Sequence, residues 1–380
     1  MRYDAAVDGV PSITELLRRA TDLVPVLRER ASGAEQLRRI PAESVKDLLA
    51  SGLVRIGTPV RYGGNGADID TAHAVAWELG RGCGSTAWCA SLWIVHNWWL
   101  GHFPAEAQDD FFASGPDTLS STGLDPTAGR ATPTPGGFRV SGRWRFSSGC
   151  DASSWAMVAV PGPERGALRW LLIPRADYTI VDTWFASGMR GTGSNDIVVQ
   201  DVFVPAHRAL DPDRAGDAER TGWELHRRPS YRVPLRFLTA WDLAAPLIGI
   251  AQGAVEAFTA RLRDTASAVT APALLRLAEA SAEVDAARTL HRHAVREMID
   301  RAAAGEVFTE RDRARYRRDK AFVTRLCVQA ANRLFEGAGA RAIVDGEPLQ
   351  RFHRDAHAAS HHAALGWDPA AEAYGRLLSS

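Results

Sequence analysis

Apolar positions recur at helical spacing over residues 12–115. Within Pro41–Leu53, Val45, Leu48, Leu49 and Leu53 share one face, with Pro41 at the start and Gly52 near the end. After a glycine loop at Tyr62–Gly66, the segment Thr71–Leu100 carries Ala and Trp on most faces, which predicts a buried helical stretch. The period changes near residue 117. Phe138–Phe146 alternates, and Trp155–Val160, Arg169–Ile173, Tyr178–Trp184 and Ile197–Val204 are short apolar runs bounded mostly by Gly or Pro. Residues 209–235, rich in Asp, Arg and Pro, read as a connecting loop. Helical spacing returns with the stripe Leu247, Ala251, Val255, Phe258 and Leu262. It continues over 272–304 and 310–336, breaks at Gly337–Arg341, and ends in a final helix over 348–364. The predicted fold class is α+β, mostly α: a helical domain over 1–117, a β domain over 118–208, and a helical bundle with its connecting loop over 209–380.

Charge and composition narrow the function. The 380 residues carry 45 basic and 45 acidic side chains. That balance argues against a nucleic-acid partner and against a polybasic membrane-surface protein. The longest apolar stretch, Leu243–Ala251, contains Pro246 and falls well short of the ~20 residues of a membrane helix. Cys83, Cys89, Cys150 and Cys327 have no metal-ligand spacing, and no signal peptide is visible. They read as reduced thiols of a cytoplasmic protein. Lys46 and Lys320 are lysines and every other basic residue is Arg, a mark of a GC-rich genome.

Several features can carry chemistry. The loops at Gly63–Gly66 and Gly188–Gly193 lack Rossmann context and read as tight turns. The stretch Gly142–Gly149 ends a strand in two adjacent hydroxyls, Ser147 and Ser148. Such hydroxyls can bond the edge of a planar ligand while Trp144 or Trp155 packs nearby, or they form an ordinary polar strand end. His353, His357, His361 and His362 cluster in one segment. Without a carboxylate at a ligand offset, acid–base work by one His fits better than a metal site, with plain helix-surface His as the alternative. Twelve residues are Trp, and Trp77, Trp88, Trp93, Trp98 and Trp99 surround His96 in sequence. They are core packing, or the wall of a pocket for a planar ligand.

Read together, these segments resemble the acyl-CoA dehydrogenase superfamily. The resemblance rests on Trp184–Val199 and Asp201–Pro205, on Pro41–Gly66, and on Arg354, Asp355 and Ala356. It spans essentially the whole chain. It implies an N-terminal helical domain, a middle β-barrel-like domain and a C-terminal four-helix bundle. The position where many dehydrogenases carry a catalytic Glu is Ala363 here. The adjacent His361 and His362, with Ser141–Cys150, resemble instead the two-component flavin-dependent monooxygenases of the same fold. That branch includes phenol and steroid-phenol hydroxylases and amino-sugar N-oxygenases.

The resemblance implies reduced flavin (FMNH2 or FADH2) supplied by diffusion from a separate NAD(P)H-dependent reductase. O2 is the co-substrate, a C4a-hydroperoxyflavin the oxidant, and an aromatic or polycyclic small molecule the substrate. It also implies residue roles. Ser147 or Ser148 meets flavin N5, Ser121 and Thr122 lie beside the ring, and Trp144 and Trp184 are further cofactor contacts. His362 is the first candidate for the catalytic His and His361 the second, with His96 reaching the substrate oxygen or peroxide from the opposite wall. Arg261 or Arg263 would hold flavin phosphate, and Glu336–Gly339 would meet flavin across a homotetramer interface. A dehydrogenase with another base, an amino-sugar N-oxygenase and a flavin-free scaffold remain the competing readings.

Overall fold

The computed structural model describes residues 11–379 apart from 165, 218 and 265–268. Five helices come first: α1 (Ile13–Leu37), α2 (Ala42–Ala50), α3 (Ile69–Gly80), α4 (Gly84–Leu100) and α5 (Ala105–Phe112). The expected Thr71–Leu100 stretch is therefore two helices. They part at Arg81–Cys83, where Gly82 packs so tightly that an added Cβ would sit 2.7 Å from the Val24 carbonyl oxygen. Every residue of α4 is buried. It crosses the middle of the molecule, packed against α3, the β region and the C-terminal helices. Burial of that kind stabilises by roughly 1.5–3 kcal/mol for each large apolar side chain.

The strands are β1 (Ser120–Gly123), β2 (Gly129–Thr134), β3 (Gly137–Ser147), β4 (Trp155–Pro161), β5 (Leu168–Pro174), β6 (Thr179–Val181), β7 (Asn195–Pro205) and β8 (Ala209–Leu210). They form two four-stranded sheets, in the orders β1-β4-β5-β8 and β2-β3-β7-β6. The sheets enclose Val140, Trp144, Val158, Leu171, Ile197 and Val199. Strands β1, β2 and β8 escaped the sequence reading because they are short, polar or Gly- and Pro-bearing. The expected Tyr178–Trp184 strand contracts to β6.

The last part holds α6 (Thr221–His226), α7 (Leu235–Leu238), α8 (Trp241–Arg263), α9 (Ala271–Ala304), α10 (Glu310–Gly337), α11 (Pro348–Ser360) and α12 (Trp367–Ser379). The supposed loop over 209–235 thus contains a short helix. Helices α8, α9, α10 and α11 pack on one another around Ala251, Phe258, Val284, Val323, Leu334 and Phe352. The expected final helix over 348–364 stops at Ser360. A corner carrying His361 and His362 follows, and then α12, which packs on α10. Gly366 and Pro369 mask α12 in the sequence.

Candidate active site

The site grows from the end of β3. The β3–β7 ladder bulges at Phe146, φ 63°, and ends at Ser147, after which Gly149 turns the chain with φ 70°. Only Gly fits at 149, since a Cβ would lie 2.8 Å from Trp93 Nε1. The turn presents two buried hydroxyls. Ser147 donates to Ser121 Oγ on β1 at 2.9 Å. Ser148 accepts the Trp88 indole N–H at 3.2 Å and meets Ser194 Oγ at 2.7 Å. Ser194 in turn lies 2.6 Å from Thr192 Oγ1, which donates to the Met189 carbonyl at 2.8 Å.

A 3-10 turn over Arg190–Thr192 brings Thr192 back beneath Met189. That turn is fastened to the bundle. The Met189 amide donates to Asp355 Oδ1 at 2.6 Å, and Arg354 donates to Glu35 at 2.6 Å and to the Ser187 carbonyl at 2.8 Å. Asp355 is buried, which raises its carboxyl to about 6, although the Met189 N–H opposes the rise. The Arg354–Ala356 motif therefore holds the Gly188–Ser194 motif in place.

His362 closes the other side. Its ring lies 6.1 Å from that of Trp88. The ring is accessible to solvent, yet desolvation by the surrounding protein, aided by the Lys320 charge, depresses it to about 4. His362 Nδ1 accepts the Ala364 N–H at 3.3 Å. The neutral ring therefore carries its proton on Nε2, which meets no partner among the described residues. Trp88 thus joins His362 to the Ser148 hydroxyl chain.

Other expected residues fall differently. His96 is fully buried and donates from Nδ1 to the Ser120 carbonyl at 2.7 Å. Desolvation lowers it to about 4 despite that bond, and its Nε2 is sealed from solvent without a partner among the described residues. Through Nδ1 it braces the strand that carries Ser121. Trp144 does not line the site. It is wholly buried between the two sheets, with Nε1 donating to the Ala159 carbonyl at 2.8 Å. His361 is exposed and bonded to the His357 carbonyl of its own helix end. Thr122 is half-buried in β1. Trp184 is half-buried, donates to the Met189 carbonyl at 3.0 Å and stands edge-on to the exposed Phe146 ring at 6.1 Å. Arg261 donates to the Ala338 carbonyl at 2.8 Å, within the Glu336–Gly339 turn of its own chain, whereas Arg263 is exposed.

The Trp group divides. Trp88 and Trp93 stand at the Ser148–Gly149 turn, and Trp99 packs on His96 with ring centroids 5.0 Å apart. Trp77 faces His291, and Trp98 bonds Ser230 on another side of α4. Two buried charges had no place in the sequence reading. Asp242, whose carboxylate oxygens meet no hydrogen-bond partner among the described residues, is raised to about 7 by desolvation. Lys320 donates to the Thr239 carbonyl and is lowered to about 8 by desolvation. The signal for Lys320 was its rarity, a lysine among arginines.

Two family models match the chain: the acyl-CoA dehydrogenase N-terminal domain over residues 19–112 and the C-terminal domain over 242–367. The chain is 38% identical over 370 residues to the flavin-dependent monooxygenase, oxygenase subunit HsaA, of Rhodococcus jostii, covering 94% of this chain and 97% of that protein. This chain belongs to the acyl-CoA dehydrogenase superfamily, among its flavin-dependent monooxygenases. The monooxygenase is also 32% identical to the FADH(2)-dependent resorcinol hydroxylase, oxygenase component, of a Rhizobium species, covering 96% and 93% of the two chains. The crystal structure of 3-HSA hydroxylase from Rhodococcus sp. RHA1 superposes with a TM-score of 0.91 at 38% identity, over 96% of this chain and 97% of that one. Both curated relatives are named as the oxygenase part of a system with a further component.

The monooxygenase uses reduced flavin and O2, and its residues fit that cofactor. Ser148 Oγ keeps a lone pair with no donor among the described residues. The half-buried Trp184 ring stands against Phe146, two residues before Ser148, and half-buried Thr122 follows Ser121 on β1.

Proposed function

We propose that the monooxygenase hydroxylates a phenolic or related aromatic small molecule held beside His362 and Trp88. Its reduced flavin, FMNH2 or FADH2, arrives by diffusion from a separate NAD(P)H-dependent reductase. The observation that carries this reading is the neutral His362 facing Trp88 beside Ala363, where a dehydrogenase of this fold has a carboxylate. The relatives point to the same substrate class, since one is named for resorcinol.

Bound reduced flavin supplies the two electrons that divide O2 between substrate and water. The chain does the rest. Ser148 offers its oxygen to flavin N5, and the Ser147–Ser121 pair and Thr122 lie along the ring edge. Arg261 and the Glu336–Gly339 turn are assigned to the phosphates, completed by a neighbouring subunit in a homotetramer. His362 Nε2–H donates to an oxygen of the substrate. It becomes a base for a phenol only when the Ala364 contact yields and the ring changes tautomer. Trp88, Trp93 and Trp99 exclude water, which strengthens each of these hydrogen bonds.

The test is oxygen consumption by purified protein with a flavin reductase, NADH and a panel of phenols, with products identified by mass spectrometry. Hydroxylated product that depends on phenol and reductase is the expected result. Oxygen converted only to hydrogen peroxide with every phenol, or dye reduction driven by an acyl thioester, contradicts it.

A further inference from the structure

The hydroxyl chain behind Ser148 has a fixed direction. A carbonyl oxygen can only accept, so Thr192 spends its one proton on the Met189 carbonyl. Ser194 must then donate to Thr192, across 2.6 Å. With the Ser194 proton committed, Ser148 must donate to Ser194, across 2.7 Å. The Trp88 indole, a donor only, fills one lone pair of Ser148. All three hydroxyl residues are buried, so water does not compete for these bonds. Ser148 is left with no proton to give and one lone pair to offer.

We propose that Thr192 and Ser194 are positioning residues that make Ser148 a pure hydrogen-bond acceptor, so that the site selects the redox state of the flavin it binds. Reduced flavin carries N5–H, a donor that this lone pair receives. Oxidised flavin carries a bare N5, an acceptor that meets another acceptor. An acceptor pair held together in a dry site costs free energy, since neither group is satisfied. The chain therefore binds the form that arrives from a reductase and weakens its hold once the flavin is oxidised. This rests on the reading that Ser148 meets N5.

The anchoring fits a device that must keep its direction. The Met189 carbonyl also accepts the Met189–Thr192 turn bond and the Trp184 indole, and the Met189 amide is held by Asp355. The terminal acceptor of the chain cannot rotate away without breaking these bonds. Trp88 N–H likewise blocks the rotamer in which Ser148 would turn its proton toward the indole.

The experiment measures anaerobic dissociation constants of FMN and FAD in both redox states, for the full-length wild type, Ser194→Ala, Thr192→Val and Thr192→Ser. Wild type is expected to prefer reduced flavin by about tenfold or more, the size of one good hydrogen bond. Ser194→Ala frees the Ser148 proton to point at N5. It should raise affinity for oxidised flavin and cut the preference by about tenfold. Thr192→Val should shift the ratio the same way, and Thr192→Ser should restore it. A merely structural role lowers both affinities together and leaves the ratio alone. An unchanged ratio in Ser194→Ala, or in Thr192→Val should the first variant not fold, overturns the proposal. Hydroxylation need not be measured. A wild type that shows the ratio effect but oxidises no phenol defeats the substrate reading alone, and intact hydroxylation with an insensitive ratio defeats this one alone.

Discussion

The Asp355 carboxylate accepts the Met189 N–H at 2.6 Å, across 166 residues of chain. Through this bond the bundle holds the turn from which Thr192 and Ser194 reach Ser148. Asp355→Ala leaves a buried amide without a partner and should destabilise the fold by about 1–3 kcal/mol in urea unfolding. Asp355→Asn keeps an acceptor and should lose less. Equal stability of wild type and Asp355→Ala would remove this role.

His362→Ala should reduce hydroxylation by roughly a hundredfold or more, within the range for a positioned proton-transfer or hydrogen-bonding group. Reduced-flavin affinity should change little, because the Ser148 chain is untouched. His361→Ala should leave both nearly unchanged, since that side chain is exposed and bonded to its own helix end. Parallel losses of rate and flavin affinity in His362→Ala would mark a structural His.

Two tryptophans should respond in opposite ways. Trp144→Phe removes a buried bond to the Ala159 carbonyl and shrinks the β core, so it should cost about 1–3 kcal/mol of stability without raising the fraction of oxygen lost as peroxide. Trp88→Phe removes the donor that fixes Ser148 and sits beside His362, so it should raise peroxide loss while stability changes less. Comparing peroxide yield with unfolding midpoints decides the matter.

Asp242 predicts a pH signature. Burial raises its folded value to about 7, above the unfolded 3.8. Between these limits the folded state holds the extra proton, so this group's contribution to stability falls as pH rises. Asp242→Asn lacks that loss. Its stability relative to wild type should therefore climb between about pH 4 and 7, by at most about 1.4 kcal/mol per pH unit for one proton. Urea unfolding of both proteins at pH 5 and pH 7.5 tests it, and a constant difference would show that Asp242 does not titrate in this range.

The long helices were legible because their apolar period is sustained: the expected 272–304 and 310–336 segments match α9 and α10 within a residue or so at each end. Strand β1 was not, because Ser120–Gly123 has no alternation and exists by pairing in parallel with β4. Of the proposed site, Ser147 and Ser148 stood out as a polar strand end and His362 as part of a His pair, whereas Ser121 came only from the family resemblance. What joins them was not legible. The Trp88–Ser148 bond spans 60 residues and the Ser148–Ser194 contact 46, and no local pattern encodes either. Trp144 misled because a strand-borne Trp near a polar strand end looks the same whether it faces a ligand or the opposite sheet. The His96 bond to the Ser120 carbonyl was likewise hidden, since sequence is blind to a backbone partner.

The most direct test supplies 18O2 to wild type and His362→Ala with a phenol and pre-reduced flavin, and reads the product by mass spectrometry. Wild type should place one 18O atom in the hydroxylated phenol, and His362→Ala should form far less of that labelled product. Unlabelled product, or equal amounts of labelled product from both proteins, would contradict an oxygenase site built around His362.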